Sequence, residues 1–443
     1  MIDGLRRSAS CLVEARSHRR RGGRRALTLI LVAGLIGGAS VPALADILIG
    51  GVAPLSQPGD VAGGQEMKWA LEQAVADLDA KGGVLGQKIR LVFYDTQNKP
   101  DVCASVAKRL VQEDKVAAVV GEFHSGCALA QIPTYNQAGM PVVFSETYNA
   151  KITAGDPADP NLPPNPPTIF RIAPTSTYYS GFIADWIVNG VKAKKVVHIV
   201  DTTDYGVGAA SAMKEALGPA GIRLAQVSVE LAQPDYASIV TRLKTENPDA
   251  DVIYYDLSET ATAYVVMQNG IDVGLSTNRN ICVGNPAMRD AQSFWRAVPD
   301  GVGCLFQLVG LTSSQFNEEA KSLDQRARTA LGHEARNYAF EAYDSVLLVA
   351  DAIRRAGNTD AKAIVRALEQ TSLVGTQGRY SFTYNSQNRV PKDKPGWLWH
   401  QYAEPPLQLL EFTKKGQTSE EAPTVWPPSR QAQPGKAYIP PTR

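Results

Sequence analysis

The sequence has few of the residues that build metal and redox centres. Only five of its 443 residues are cysteine and five are histidine, and neither a C-x-x-C pair nor an H-E-x-x-H motif occurs. Protein-bound zinc needs such closely spaced ligands, so no metal is expected. The phosphate-binding G-x-x-x-x-G-K-[ST] loop and the G-x-S-x-G frame of a serine nucleophile are also missing. We therefore expect no cofactor and no enzymatic activity.

An excess of charge of one sign is also missing. The chain has 45 Lys and Arg against 44 Asp and Glu, a formal net charge of +1. Nucleic-acid binding needs a strongly basic surface, so a nucleic-acid partner is not expected. The positive charge is instead concentrated at the amino terminus, where the first 45 residues hold eight Arg against one Asp and one Glu.

Long apolar runs are scarce, and the main one lies near the amino terminus. It spans Ala26–Ala39, follows the basic stretch Arg19–Arg25 and precedes the small-residue motif Val41–Ala45. This order is typical of a signal peptide, and the run is shorter than the ~20 residues that a membrane anchor needs. We interpret residues 1–45 as a signal peptide that is cleaved after Ala45, which predicts a periplasmic protein.

Four cysteines remain after cleavage, namely Cys103, Cys127, Cys282 and Cys304. An even number in an oxidising compartment predicts disulfides, although four cysteines allow three connectivities. Pairing Cys103 with Cys127 and Cys282 with Cys304 would close two short loops, each within one half of the chain. We favour this pairing over the other two.

From Asp46 onward, short apolar stretches alternate with helical patterns. Ile47–Val52, Ile89–Tyr94, Val116–Val120 and Pro141–Phe144 have the composition of strands, and helical periodicity separates them. The same alternation resumes at Val196–Asp201, after a stretch at Asp156–Pro167 in which six of twelve residues are proline. Such alternation is typical of parallel sheets with crossover helices, so we predict an α/β protein of two doubly wound, Rossmann-like lobes.

The chain is expected to cross between these lobes several times. The pattern from 315 to 370 is three helices, which we expect to return to the first sheet rather than to form a third domain. The predicted division is lobe 1 at 46–173 plus 308–375, lobe 2 at 174–307 plus 376–420, and a Pro-rich tail at 421–443. A ligand cleft is expected between the lobes, at the carboxyl ends of the strands.

Several motifs resemble those of a known family. They are Ile47–Pro54, the Gly63-Gly64 helix start, Leu78–Gly86, Asp204-Tyr205-Gly206 and Asp251–Tyr255. Together they resemble the leucine/isoleucine/valine-binding proteins, periplasmic solute-binding proteins of type I fold, over residues 47–385.

This resemblance implies a monomer with two hinged lobes that captures a small-molecule solute. It also implies delivery of that solute to an ABC permease and its ATPase subunits in the inner membrane. The expected solute carries a carboxylate or an amide, as do branched-chain amino acids and aromatic or other organic acids. A periplasmic ligand sensor with the same fold is the alternative, because fold alone does not fix function.

The loop after the third strand is the first candidate binding element. It contains Phe123, His124, Ser125 and Gly126 and precedes a helix, whose amino-terminal N–H groups and dipole attract anions. It also matches the family's serine-containing loop that binds a ligand carboxylate. The alternative for Ser125 is a simple helix cap, and the alternative for His124 is ordinary packing.

The loop after the fourth strand is the second candidate and contains Glu146, Thr147 and Tyr148. Glu146 is expected to accept a hydrogen bond from an ammonium or amide, and Tyr148 to stack on an aromatic solute. The alternative is that Glu146 is an ordinary solvated surface charge.

The second lobe is expected to contribute Tyr205, Asp256, Ser258 and Asn285, and the helical return Tyr338. For Tyr338 the alternative is plain helix packing. Asn285 lies near the place where amino-acid binders use a glutamate for the α-ammonium. Losing that charge favours a small organic acid or amide, with an aromatic body suggested by Tyr148, Tyr205 and Tyr338, unless Glu146 replaces the charge from the other lobe.

Overall fold

The first lobe is built on a five-stranded parallel sheet. The computed structural model describes residues 45–231, 233–277, 280–284, 291–402 and 404–430. The strands are β1 (Ile47–Ala53), β2 (Ile89–Asp95), β3 (Ala118–Gly121), β4 (Val142–Phe144) and β5 (Ile169–Arg171). Their helices are α1 (Val61–Ala80), α2 (Pro100–Gln112), α3 (Ser125–Ala138) and α4 (Lys151–Ala154). The strand order β2-β1-β3-β4-β5 reverses between β1 and β3, where ligands of doubly wound sheets bind.

The second lobe repeats this order in a larger sheet. Its parallel strands are β6 (Lys195–Asp201), β7 (Arg223–Val229), β8 (Val252–Asp256), β9 (Ile281–Gly284) and β10 (Leu305–Val309). Its helices are α5 (Ser176–Asp185), which precedes β6, and α6 (Asp204–Leu217), α7 (Ala237–Glu246), α8 (Thr260–Asp272) and α9 (Ala291–Ala297) between the strands. The sheet order reverses between β6 and β8, so the loops after these two strands meet at one edge.

The last part of the chain serves both sheets. Its elements are α10 (Glu318–Ala330), α11 (Asn337–Ala356), α12 (Ala361–Glu369), β11 (Leu373–Gly375), β12 (Gly378–Tyr380), β13 (Leu407–Glu411) and β14 (Thr424–Trp426). Helix α11 packs along α1 and across the first sheet, and its apolar residues join that lobe's core. Strands β13 and β14 extend the second sheet in antiparallel orientation. The fold class and the return of the helical block agree with the prediction.

The contacts move the predicted lobe boundaries. Thr376 and Tyr380 donate hydrogen bonds to the buried carboxylate of Asp344 in α11, and Phe382 packs edge-on against Phe170 of β5. The sequence predicts that the segment from 376 to about 402 belongs to lobe 2. Its polar and aromatic partners lie in α11 and β5, so the segment packs on the first lobe instead. We propose lobe 1 as 46–173 plus 310–402 and lobe 2 as 174–309 plus 404–430.

The remaining differences concern short elements. Strand β5 and helix α5 follow the Pro-rich stretch directly and were not predicted, whereas the strand predicted over residues 396–401 is mostly a 3-10 turn at Gly396–Leu398. The start of the predicted tail forms β14, and residues 431–443 lie outside the described part. A Pro-rich segment hides such elements because proline removes backbone donors but still permits edge strands.

Both predicted cysteine pairs are confirmed. Cys103 of α2 is joined to Cys127 of α3, with Cα atoms 5.3 Å apart, and Cys282 of β9 to Cys304 beside β10, at 4.7 Å. Among the described residues, no helix combines the length and apolar character that crossing a membrane requires. The predicted signal peptide lies outside the described residues except for Ala45.

Candidate functional site

A small cavity lies where the carboxyl ends of the two sheets face each other. Its volume is about 30 Å³, far below the ~300–1,000 Å³ of typical ligand pockets. The residues that line it are Phe123, His124, Ser125, Glu146, Tyr148, Tyr205, Leu257, Ser258, Thr260 and Tyr338. They come from the loops after β3, β4, β6 and β8 and from the start of α11, so both lobes contribute. A solute can enter only when these walls move apart.

Hydrogen bonds hold the two lobes together beside the cavity. The side-chain amide of Asn149 donates to the carbonyl of Asp204 at 2.6 Å, and the N–H of Thr260 donates to the carboxylate of Asp60 at 3.2 Å. Gly126 makes a close approach possible, because a Cβ atom there would lie 2.8 Å from the Asp204 carboxylate. The described conformation is thus a closed one, and further contacts join the lobes farther from the cavity, between Ser419 and Glu334 and between Arg328 and Glu420.

The loop after β3 takes a strained turn before α3. Gly121 and Glu122 both have positive φ, 103° and 66°, a region that is unfavourable for glutamate. The turn folds the Glu122 carboxylate back onto the N–H groups of Phe123 and His124 and the amide of Gln131, at 3.0, 3.3 and 2.8 Å. Burial raises the pKa of Glu122 to about 7. The loop N–H groups expected to bind an anion are therefore occupied, and the first turn of α3 remains as the donor.

Ser125 is the first residue of α3, and its side chain does not cap the helix. Its Oγ accepts hydrogen bonds from the N–H groups of Tyr148 and Asn149, at 3.2 and 3.1 Å. A hydroxyl that already accepts two hydrogen bonds keeps its own proton to donate. Because Ser125 lines the cavity, that proton is available to an acceptor there, such as a carboxylate oxygen. The same hydroxyl connects the loops after β3 and β4.

His124 is a neutral hydrogen-bonding group rather than a charged one. The backbone N–H of Asp60 donates to its Nε2 at 3.1 Å, so Nε2 is unprotonated and the ring proton lies on Nδ1. Burial lowers the pKa of this imidazole, against the weaker raising effect of the Asp60 carboxylate. His124 therefore lines the cavity as a neutral imidazole.

Glu146 is buried in the cavity wall, not solvated at the surface. Its Oε1 accepts from the hydroxyl of Tyr148 at 2.8 Å, and the amide of Asn337 donates to both of its oxygens at 2.9 Å. Burial raises the pKa of Glu146, and the neighbouring Glu341 is hydrogen-bonded to it. The alternative interpretation of Glu146 as a surface charge is wrong.

Aromatic rings form most of the remaining wall. The Tyr148 ring lies edge-on to Tyr205 with centroids 5.8 Å apart, and Phe123 lies edge-on to Tyr338 at 5.0 Å. Edge-to-face pairs of this kind hold rings in fixed orientations. The cavity therefore has aromatic rings from both lobes in its wall and hydrogen-bond donors at the start of α3 in the first lobe.

Asp256 is brought near the site but does not line it. Its carboxylate accepts from the hydroxyl of Tyr205 at 2.6 Å and from that of Tyr179 at 3.3 Å, and it lies 3.3 Å from Nε2 of His198. The side chain is fully buried behind Tyr205. The expectation that Asp256 faces the cleft is not met in this structure, because its carboxylate is bonded to Tyr205, which lines the cavity in its place.

Two more predicted residues are also absent from the cavity wall. Thr147 is buried, and its carbonyl accepts from the guanidinium of Arg171, while Gly126 packs toward Asp204. Asn285 lies outside the described residues. The other eight predicted binding residues all line the cavity.

Leu257 and Thr260 line the cavity and were missed. They lie in the same loop as Ser258, between β8 and α8, and only the folded loop shows which of its residues turn inward. The sequence contained a usable signal, because an acidic residue such as Glu259 is favoured at a helix start and so predicts that α8 begins at Thr260. In the structure Glu259 accepts from the N–H of Thr262, and the N–H of Thr260 reaches Asp60 of the first lobe.

Within the described residues, one group has the ligand types of a metal site: Cys103, Glu122 and Cys127. Its two cysteines are joined in the disulfide, so their sulfur atoms are not thiolate ligands.

Comparison with known proteins gives one family and several relatives. The family model described as periplasmic binding protein matches residues 46–393. An amino acid binding protein of Pseudomonas aeruginosa is 28% identical over 352 residues, which cover 79% of this chain and 90% of that protein.

Two solved structures share the fold. The branched-chain amino acid transporter substrate binding protein of Streptococcus pneumoniae, in complex with isoleucine, has a TM-score of 0.70 at 23% identity and covers 86% of this chain and 99% of that one. A solute binding protein of R. palustris in complex with benzoate has a TM-score of 0.68 at 16% identity, with coverages of 86% and 95%.

Proposed function

The chain belongs to the periplasmic binding protein family, and from this premise we propose that it is the extracytoplasmic solute-binding component of an ABC importer. Its solute is a small molecule that carries a carboxylate or an amide. One observation carries this proposal: donors of the first lobe and aromatic rings of both lobes converge on one interlobe cavity. Such a combination binds a polar head at one end and an apolar body at the other.

The donor end is formed by three groups that meet at the start of α3. The Ser125 hydroxyl has a proton to donate, His124 has its ring proton on Nδ1, and the first turn of the helix has N–H groups without intrahelical partners. An anionic head group is stabilised there by the helix dipole as well as by these donors. The body of the solute then lies among Tyr148, Tyr205 and Tyr338.

Capture follows from the distribution of these contacts over two lobes. A solute that touches both lobes binds the closed state better than the open one, so it shifts the hinge equilibrium toward closure. The closed pair of lobes is then the form that a permease distinguishes from the empty, open protein. We place this cycle in the periplasm, after removal of residues 1–45.

Isothermal titration of the mature protein with benzoate, isoleucine and leucine tests solute binding. At least one carboxylate solute is expected to bind, and small-angle scattering is expected to show a smaller radius of gyration when it does. Ser125→Ala should weaken binding about tenfold, because it removes one hydrogen bond of about 1–1.5 kcal/mol to the head group. Ser211→Ala changes an exposed serine of α6 in the same way and should leave affinity unchanged. Failure of every small carboxylate and amide to bind would refute the proposal.

Transport and export need their own measurements. Deleting the gene should abolish uptake of the bound solute, and amino-terminal sequencing of the exported protein should begin at Asp46. Normal uptake after deletion, together with a lost transcriptional or chemotactic response, would instead indicate a sensor.

A further inference from the structure

Behind the cavity wall, two glutamates lie against each other. Glu146 and Glu341 are 3% and 4% exposed, and their carboxyl groups are hydrogen-bonded to each other. Glu341 lies one turn after Asn337 in α11, whose amide donates to both oxygens of Glu146. A cavity-lining carboxylate thus has a second carboxyl group directly behind it, and that second group was not predicted.

No basic side chain among the described residues neutralises this pair. Arg336, which directly precedes α11, is ion-paired with Glu66 of α1, and Arg171 binds backbone carbonyls. The titratable groups that interact with the pair are Glu66, Tyr148, Tyr338 and Asp344. Asp60 and Arg336 interact with Tyr338, and Asp60 with His124. The carboxylates among them add negative potential, so ionising both Glu146 and Glu341 would bury two uncompensated charges.

The proximity of the two carboxyl groups favours a proton between them. Oε2 of Glu341 receives no hydrogen bond from any described donor. Two carboxylate oxygens in contact repel each other unless one carries a proton, which then forms a short, strong hydrogen bond. Burial is the main cause that raises the pKa of both groups above the ordinary carboxyl value. Glu146 raises the pKa of Glu341 further, whereas the hydrogen bond from Glu341 works against the rise at Glu146.

We propose that Glu146 and Glu341 share a proton and take up a second when an anion binds, so that the cavity selects monoanionic solutes with an uncharged body over zwitterionic amino acids. This inference rests on the proposed solute-binding function. The oxygens of Glu146 already accept from Tyr148, Asn337 and Glu341, which leaves little capacity for a solute ammonium. A solute carboxylate at Ser125 adds negative charge and raises the proton affinity of the pair.

The sign of the pH dependence distinguishes the two solute classes. If the protein takes up a proton when it binds a monoanion, the affinity falls as pH rises. For one proton, Kd rises by up to about tenfold per pH unit. An amino acid whose ammonium displaces the proton would show the opposite slope. Titrations with benzoate and with isoleucine, in two buffers of different ionisation enthalpy from about pH 6 to about pH 8.5, measure both slope and proton count.

We expect benzoate to bind more tightly than isoleucine and to take up as much as one proton. Glu341→Gln replaces one of the two sharing groups by an amide of the same shape, so the benzoate slope should become smaller; Glu122, whose pKa is also raised by burial, remains in every variant. Glu146→Gln should have the same effect from the other side of the pair. Glu215→Gln, on the exposed face of α6, is the matched control and should leave the slope unchanged. Tighter binding of isoleucine, with release of a proton, would overturn the proposed selectivity.

A measurement without any solute tests the shared proton independently. Because the pKa values are raised in the folded state, the pair contributes a fall in the free energy of unfolding as pH rises above the ordinary carboxyl range. Glu341→Gln should make this fall smaller, whereas Glu215→Gln should not. Equal pH profiles for wild type and Glu341→Gln would overturn the shared proton even if benzoate binds, in which case the solute-binding function still stands.

Discussion

Arg171, at the end of β5, is the residue whose replacement most directly tests the architecture around the site. The side chain is fully buried, and its guanidinium donates to Gln401 Oε1 at 2.6 Å, to the carbonyls of Thr147 and Asn149 at 3.3 and 2.6 Å, and to Thr153 Oγ1 at 2.9 Å. Arg171 thereby joins the loop after β4 to Gln401, just before the chain passes from lobe 1 back to lobe 2. Burial lowers its pKa to about 9, because no carboxylate among its described contacts offsets the desolvation.

Replacing Arg171 by Met keeps the length of the side chain and removes every donor. The three amide and carbonyl acceptors then lie buried without a partner, at about 1–3 kcal/mol each. Removing a buried unpaired guanidinium recovers several kcal/mol of desolvation. We therefore expect a net loss of about 2–4 kcal/mol in the free energy of unfolding, and weaker solute binding because Thr147 and Asn149 lose their support.

Urea denaturation followed by tryptophan fluorescence measures this loss as a lower midpoint at unchanged slope. Arg171→Lys keeps the charge but not the planar set of donors, so it should fall between wild type and Arg171→Met. Arg90→Met, at an exposed position of β2, controls for the chemical change. If Arg171→Met is within about 1 kcal/mol of Arg90→Met, the reasoning from buried acceptors fails.

Two further predictions concern packing and the second lobe. A Cβ at Gly64 would lie 1.6 Å from the carbonyl oxygen of Pro54, so Gly64→Ala should lower the free energy of unfolding by about 2–3 kcal/mol, measured by thermal or urea denaturation. Gly181 in α5 has open space around it, so Gly181→Ala should raise the free energy of unfolding by about 0.5–1 kcal/mol. Equal effects of the two would contradict this packing. Tyr205→Phe removes the hydrogen bond to the buried Asp256 carboxylate and should cost about 1.5–3 kcal/mol in the same assay; an unchanged stability would show that Asp256 does not depend on it.

The difference between predicted and observed site residues has a physical explanation. Ser125 and Tyr148 were predicted because they follow buried strands directly, and the carboxyl ends of parallel strands meet at one edge. Asp256 was predicted by the same rule but turns away, because Tyr179 and Tyr205 compete for its carboxylate. Glu341 had no such signal, since it lies within an amphipathic helix about 200 residues from Glu146 along the chain.

The sequence alone determined the alternation of strands and helices, the cysteine pairs and the loops that carry the site, because periodicity, apolar runs and loop position are local properties of the chain. Only the tertiary structure decided which lobe the segment from 376 to 402 joins, which side chains face the cavity, and that Glu146 and Glu341 touch. Those outcomes depend on contacts between residues far apart in the chain, and burial then changes the charge that such groups carry.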